Sequence, residues 1–146
     1  MCQHSRRQFI LTGGGGLLAV ATRPAWSQQP LPVSETQRMH FIGEAERMRQ
    51  QAVRAGDQSY GAVLVMGHAI VGWGPSRVVT DRNANAHAER VAIMDAQARL
   101  STNDVSGAVL YSTSRPCAAC EVAAASARVA RMYWGPKAID AGAPRG

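Results

Sequence analysis

Short apolar runs alternate with longer segments of helical periodicity along the chain, and this alternation limits the fold classes open to it. The predicted order is a helix over 35–55, strands over 60–66 and 69–73, a helix over 87–100, a strand over 108–112, a helix from Pro116 to about 128 and a strand over 131–134. Strands joined through a helix run parallel, whereas the first two form a hairpin. The order therefore predicts an α/β fold of three αβα layers around a mixed central sheet.

Turn and cap residues support these boundaries. Ser34 and Gln37 stand three residues apart, as in a capping box, and Gly56 suits the end of the first helix. Gly67-His68 separates the first two apolar runs and indicates a β-hairpin. The chain after residue 134 is a Gly- and Pro-containing tail, so 131–134 is the last predicted strand.

Length and composition exclude several classes of protein. The chain has 146 residues, 46% hydrophobic and 18% charged, which is typical of one globular domain. Its longest apolar stretches fall short of the roughly 18–20 residues that a membrane-spanning helix needs. Three cysteines cannot build a disulfide scaffold.

The first 27 residues have the layout of an export signal. A basic start precedes a weakly apolar stretch over 9–21 and small residues before a cut, in the sequences Ser5-Arg6-Arg7-Gln8-Phe9-Ile10-Leu11 and Ala25-Trp26-Ser27. The Arg pair followed by Phe and Leu resembles a bacterial twin-arginine signal. We therefore expect a twin-arginine signal peptide over 1–27, a linker over 28–33 and the functional domain over 34–146. The mature protein would be periplasmic and free of the membrane.

The net charge of +6 overstates the basicity of the mature chain. Arg6, Arg7 and Arg23 belong to the predicted signal, which leaves 13 basic residues against 10 acidic ones. These basic residues are scattered and form no run of three. The pattern indicates a mildly basic surface and does not favour binding to nucleic acid.

Two short motifs carry the chemistry, His87-Ala88-Glu89 and Pro116-Cys117-Ala118-Ala119-Cys120. One imidazole and two thiols are ligands that suit tetrahedral zinc, and three protein ligands leave a fourth position open, as in catalytic sites. The start of a helix favours the thiolate form of Cys117 and Cys120. Glu89 lies near His87 and can exchange protons with water at the metal without being a ligand.

These motifs match the H-x-E…P-C-x-x-C signature of zinc deaminases. The 30-residue step from His87 to Cys117 resembles the branch of tRNA adenosine and guanine deaminases within the cytidine and deoxycytidylate deaminase family. The segments 56–65 and 128–135 resemble the family's first strand and the strand after its zinc helix. The resemblance covers about 38–137, most of the mature chain.

The resemblance implies a cytidine deaminase-like fold and a hydrolytic reaction. His87, Cys117 and Cys120 would be the Zn²⁺ ligands, and Glu89 would carry protons. Water would attack an amidine carbon of a nucleobase, nucleoside or related amino-heterocycle, with release of ammonia. Backbone N–H groups near Ala88 and Cys117 would hold the ring edge. Relatives of this branch usually form homodimers, so a homodimer is expected.

The chain departs from the branch at positions near the substrate. Ser76 stands eleven residues before His87, where the branch has an Asn that binds the base through its amide. Ser76 is the candidate at that position, and Asn85 or Asn83 is the candidate source of the missing amide. Arg115 stands where a Glu usually precedes the Pro. A cation there either favours an acidic substrate group or is solvated.

Two alternatives to a deaminase stay open. A catalytically weak zinc-binding module that recognises a ligand would keep the metal and not depend on Glu89. A redox protein would use Cys117 and Cys120 as a disulfide pair and bind no stoichiometric zinc. A small-molecule base or nucleoside is the expected substrate, since an exported protein would not meet tRNA.

Overall fold

The structure is a computed structural model, and it describes residues 32–146. The predicted signal peptide and most of the predicted linker lie outside the described residues. The elements are α1 (Glu35–Arg54), β1 (Gly61–Met66), β2 (Ala69–Pro75), α2 (Ala88–Leu100), β3 (Val109–Ser112), α3 (Ala118–Ser126), β4 (Arg131–Trp134) and β5 (Ile139–Gly142). The predicted element order is confirmed up to β4.

The five strands form one mixed sheet in the order β2-β1-β3-β4-β5. Strand β1 runs antiparallel to both β2 and β3, and β4 runs antiparallel to β5. Strands β3 and β4 are parallel because α3 carries the chain back between them. The predicted α/β class with a mixed central sheet is thereby confirmed.

Helices cover both faces of the sheet. Phe41, Ile42 and Ala45 of α1 pack on Val63 and Val65 of β1 in one buried cluster. The opposite face of β1 contributes Ala62 and Leu64 to a second cluster, where the buried residues of α2 and α3 are Ala88, Ala92, Ile93, Ala96 and Ala124. Strand β1 is apolar throughout because alternate side chains enter different clusters.

Two glycines let α2 lie unusually close to the edge strand β2. A Cβ atom at Gly72 would overlap the carbonyl oxygen of Ala92, and one at Gly74 would overlap the carbonyl oxygen of Ala88. The helix backbone therefore occupies space that a side chain would need. Gly74 faces the first turn of α2, so this contact fixes the height of that turn above the sheet.

The edge strand β2 is also joined to α2 by polar groups. The N–H of Trp73 donates to the carboxylate of Asp95 at 2.9 Å. The same carboxylate accepts from the guanidinium of Arg99 at 2.8 Å, and that guanidinium lies 4.7 Å from the centre of the Trp73 ring. One backbone donor of the sheet edge is thus paired with a side chain of α2.

The structure differs from the prediction by one additional strand and at several element boundaries; β2, for example, continues to Pro75 instead of ending at 73. Strand β5 was not predicted, because 139–142 is short and follows a turn in which Gly135 has φ +73°. Helix α3 begins at Ala118 and ends at Ser126, since Cys117 has the extended backbone of an N-cap and Pro116 precedes it. The helix predicted from 87 begins at Ala88, because His87 also has the extended backbone of an N-cap.

The first helix agrees with the prediction to within one residue. The side chain of Ser34 accepts from the N–H of Gln37, and the side chain of Gln37 accepts from the N–H of Ser34, so the capping box is present. The helix ends before Gly56, whose φ of +77° suits the turn that follows. Within 32–146, no helix is both long and apolar enough to span a membrane.

The contact between Gly74 and α2 predicts a large effect of a single methyl group. We expect Gly74→Ala to lower the free energy of unfolding by about 1–3 kcal/mol, because the helix backbone must move to admit the Cβ. Gly43→Ala is the control, since Gly43 lies on the exposed side of α1 with nothing near its Cβ position. That change should raise the stability by about 0.5–1 kcal/mol. Urea unfolding at fixed zinc concentration measures both, and equal midpoints would contradict the close contact.

Candidate metal centre

Two helix N-termini and the end of one strand meet at the centre of the site. His87 is the N-cap of α2, and Cys117 is the N-cap of α3. Both have extended backbones, and neither side chain makes a capping hydrogen bond, so both are available as ligands. Cys120 lies in the first turn of α3. The partial positive charge of a helix N-terminus favours thiolates at these positions.

The three side chains have the spacing that zinc requires. Nδ1 of His87 lies 3.7 Å from Sγ of Cys117 and 3.5 Å from Sγ of Cys120. Tetrahedral zinc with usual bond lengths would separate a ring nitrogen from a thiolate sulfur by about 3.6 Å. One ligand atom from each residue lies within 4.8 Å of the others. The donor set therefore fits a zinc ion.

The two cysteines differ in their surroundings. Cys120 is fully buried, whereas Cys117 is exposed, and both are free thiols. Burial raises the pKa of the Cys120 thiol, and the nearby charge of Glu89 raises it further. A bound cation opposes both effects and stabilises the thiolate. One side of the ligand set thus faces the protein interior and the other faces solvent.

Glu89 reaches the ligand set without belonging to it. Its residue is only 5% exposed, and its Oε2 lies 3.7 Å from Sγ of Cys120. Its Oε1 accepts a hydrogen bond from the hydroxyl of Ser112 at 3.0 Å, at the end of β3. The carboxylate is therefore held next to the place where a metal would bind.

The site opens into a depression of about 690 Å³, which we call the metal-site depression. Its lining residues come from the segment before β1, the start of α2 and the loop before α3: Gln58, Ser59, Tyr60, His87, Ala88, Glu89, Ser114, Arg115 and Cys117. Ala88, a predicted substrate contact, lies in this lining. Arg115 is exposed and takes part in none of the ion pairs among residues 32–146.

Ser76 and Asn85, the other predicted substrate contacts, lie outside this lining. Ser76 is 2% exposed, and its hydroxyl donates to the carboxylate of Asp57 at 2.9 Å. Asn85 lies in a second depression, beside Trp73 and Arg90, and its side-chain oxygen accepts from Arg90 at 3.2 Å. The structure therefore does not bring these two residues together with His87, and their contact with substrate stays a prediction.

Asp57 connects two loops near the site. Its carboxylate accepts hydrogen bonds from four donors, which are the N–H groups of Gln58, Val79 and Thr80 and the hydroxyl of Ser76. Burial acts to raise the pKa of Asp57, but these hydrogen bonds outweigh it and lower the pKa to about 2. Asp57 thus joins the loop after β2 to the segment that lines the metal-site depression.

The sequence comparisons agree with this geometry. The sequence model of the cytidine and deoxycytidylate deaminase zinc-binding region matches residues 35–136. The chain therefore belongs to the cytidine and deoxycytidylate deaminase zinc-binding family. The resemblance inferred from the two motifs is confirmed, and so is zinc as the cofactor, which His87, Cys117 and Cys120 are placed to hold.

Individual relatives point to one part of this family. The tRNA-specific adenosine deaminase 2 of Xenopus laevis is 30% identical over 113 residues, which are 73% of this chain and 64% of that protein. The tRNA-specific adenosine deaminase of Bacillus subtilis is 33% identical over 100 residues, 68% of this chain and 62% of that protein. The crystal structure of guanine deaminase from Bacillus subtilis has a TM-score of 0.63 and 31% identity, and the match covers 66% of this chain and 62% of that chain. The chain thus spans less than two thirds of each of these three relatives.

Metal removal tests the ligand set. We expect about one zinc per chain, and we expect a chelator to lower the melting temperature because zinc binds the folded state preferentially. The stability difference should reach about 4 kcal/mol when free zinc is about 1,000-fold above its Kd. In the control variant His87→Ala, the chelator should have little further effect. A metal-free protein with a bond between Cys117 and Cys120 would favour the redox alternative.

The low pKa of Asp57 predicts a pH dependence of stability. The folded state favours the ionised carboxylate, so its stabilisation is complete above the unfolded pKa of about 3.9 and is lost as the pH falls toward about 2. We expect Asp57→Asn to lower the stability at pH 7 by about 1–3 kcal/mol, because the amide NH₂ must face backbone N–H donors. The difference in free energy of unfolding between the variant and wild type should shrink as the pH falls from about 4 to about 2.

Asp81→Asn provides the control for this pH series. Asp81 lies in the loop that Asp57 holds, but it forms an exposed ion pair with Arg77. Loss of this ion pair should lower the free energy of unfolding by no more than about 1 kcal/mol at pH 7. Chemical unfolding over the pH series measures both variants. A constant difference between Asp57→Asn and wild type down to pH 2 would contradict the assignment.

Proposed function

We propose that the protein catalyses the hydrolytic deamination of an amino-substituted heterocycle and releases ammonia. The observation that carries the proposal is the buried carboxylate of Glu89, held beside a three-residue zinc site at the base of an open depression. Three protein ligands leave one position of a tetrahedral ion for water or substrate. The carboxylate and the open position together support hydrolysis rather than a purely structural metal.

Each part of the site has a distinct task in this reaction. Zinc held by His87, Cys117 and Cys120 supplies the Lewis acidity that makes water a nucleophile at neutral pH. Glu89 accepts a proton from the attacking water and delivers it to the amino nitrogen, which leaves as ammonia. The ring carbon exchanges its amino group for the hydroxyl of water, which becomes a carbonyl when its remaining proton moves to the neighbouring ring nitrogen, and the Glu89 carboxylate is regenerated.

The lining of the metal-site depression suits a planar polar ring. Tyr60 is 46% exposed and offers an aromatic surface beside the side chains of Gln58 and Ser114. The N–H groups at the start of α2, near Ala88, are the expected donors to a ring edge. We therefore propose a nucleobase, a nucleoside or a related amino-heterocycle as substrate. The guanidinium of Arg115 has no ion-pair partner among the described residues and could bind an anionic group, so derivatives that carry such a group belong in the substrate panel.

A small substrate is favoured over tRNA by the distribution of charge. Seven arginines of the described chain pair with acidic residues, namely Arg47, Arg49, Arg77, Arg99, Arg128, Arg131 and Arg145. Binding of nucleic acid depends on cations that are free to neutralise phosphates. Several relatives are named as tRNA-specific adenosine deaminases, so tRNA belongs in the assay as a competing substrate.

We further propose that 1–27 is a twin-arginine signal peptide, that the deaminase domain occupies 34–146, and that the protein acts in the periplasm as a homodimer. The Arg6-Arg7 pair and the apolar stretch that follows support export. The proposal of a homodimer is based on the deaminase branch that the chain resembles, whose members usually form homodimers.

Ammonia release from a panel of bases, nucleosides, nucleotides and tRNA tests the proposed reaction. We expect release from at least one small member by zinc-loaded protein. Glu89→Gln should lower turnover by about 10²–10⁴-fold, because the amide cannot accept the proton, while the zinc content stays unchanged.

Glu121→Gln is the matched control for this experiment. Glu121 is also a buried glutamate in the first turn of a helix, but its carboxylate accepts from Arg145 and lies outside the metal-site depression. Its turnover should match wild type. Full zinc with no release from any member would support the zinc-binding module instead. A Glu89→Gln variant that releases ammonia as fast as wild type would contradict the role of Glu89 as proton carrier.

A further inference from the structure

Two buried polar groups meet where β3 ends beneath α2. Ser112 is 1% exposed, and its hydroxyl donates to Oε1 of Glu89 at 3.0 Å. The N–H of Ser114 donates in turn to the Ser112 hydroxyl at 3.4 Å. Neither Ser112 nor Glu89 is a candidate zinc ligand, and these two residues lie 23 positions apart in the sequence.

The serine occupies a position that would otherwise belong to the apolar core. Leu110, two residues earlier in β3, is fully buried in the cluster between the sheet and helices α2 and α3. Alternate residues of a strand share a face, so Ser112 points toward the same layer. A buried hydroxyl is costly unless it is hydrogen-bonded. The carboxylate of Glu89 is the acceptor for its proton.

The direction of these hydrogen bonds makes the two oxygens of Glu89 unequal. A backbone N–H can only donate, so the Ser114 N–H occupies a lone pair of the Ser112 oxygen and the hydroxyl proton is left for Glu89. Oε1 therefore has a fixed donor. Oε2 lies on the side of the ligand set, 3.7 Å from Sγ of Cys120.

We propose that Ser112 is a positioning residue for Glu89. Its hydroxyl anchors Oε1, so that Oε2 is the oxygen that receives the proton from water and passes it to the leaving nitrogen. The inference rests on the proposed deaminase function and adds a residue that neither motif contains. Ser112 acts only through Glu89, because it is absent from the lining of the metal-site depression.

Threonine and valine at position 112 form the decisive pair of variants. Both add the same methyl branch to a tightly packed site, and only threonine keeps the hydroxyl. We expect Ser112→Val to lower kcat by about 10–100-fold, the range found when supporting residues of metal sites are removed, with KM within about twofold and zinc content unchanged. Ser112→Thr should retain kcat within about threefold of wild type. Equal kcat for the two variants would overturn the proposal.

Thr113→Val is the matched structural control. Thr113 is the next residue, and its hydroxyl accepts from the N–H of Gly61 at 3.1 Å, away from Glu89. Its loss removes one hydrogen bond from the same end of the sheet. It should change the unfolding midpoint with kcat within about twofold of wild type. A fall in kcat as large as that of Ser112→Val would show that any loss of order at this strand end impairs turnover, and would overturn the proposal.

A structural measurement separates this inference from the proposed reaction. Crystal structures of zinc-loaded wild type and Ser112→Val report the position of the Glu89 carboxylate without turnover. We expect the bond from Ser112 to Oε1 in wild type and a rotated carboxylate in the variant. An unmoved carboxylate would overturn the positioning role even if ammonia is released. If the carboxylate rotates in the variant but the wild-type protein releases ammonia from no member of the panel, the positioning role of Ser112 would stand and the proposed deaminase function would be rejected.

Discussion

The candidate metal centre depends on how closely helix α2 lies against the sheet. The glycines of β2 allow the backbone of α2 to approach to a distance that no side chain would permit, and small alanines continue this contact along the helix. His87 and Glu89 occupy the first turn of that helix, so their height above the sheet follows from backbone contact rather than from long side chains. A helix set farther out would separate His87 from the cysteines of α3.

Two charged or polar groups are buried within this otherwise apolar layer. Glu89 and Ser112 have little exposure, and each is the hydrogen-bond partner of the other. The cost of desolvating them is offset by that bond and by the helix N-terminus beside Glu89. The layer is thus divided between an apolar part, which stabilises the fold, and a polar end, which carries the chemistry.

Much of this arrangement could be predicted from the sequence, and the remainder depends on contacts between distant residues. The capping box at Ser34 and the two ligand motifs depend only on residues close in sequence, so the start of α1 and the zinc ligands could be predicted. The hydrogen bond from Ser112 to Glu89 depends on how far β3 extends beneath α2, which no local pattern reveals. The partner of Ser76 is Asp57, 19 residues away, so its hydroxyl could not be assigned from its place in a motif. Strand β5 owes its conformation to pairing with β4 rather than to its own composition.

The contact between Trp73 and Asp95 has a consequence for the behaviour of the protein in concentrated solution. An edge strand offers unpaired N–H groups to which a strand of another molecule can add. Here one of those donors is occupied by a carboxylate, and the guanidinium of Arg99 covers the adjacent indole. A molecule that approached this edge would have to displace an ion pair before forming a ladder. The same helix that carries the metal ligand therefore also occupies one of the backbone donors of this edge strand.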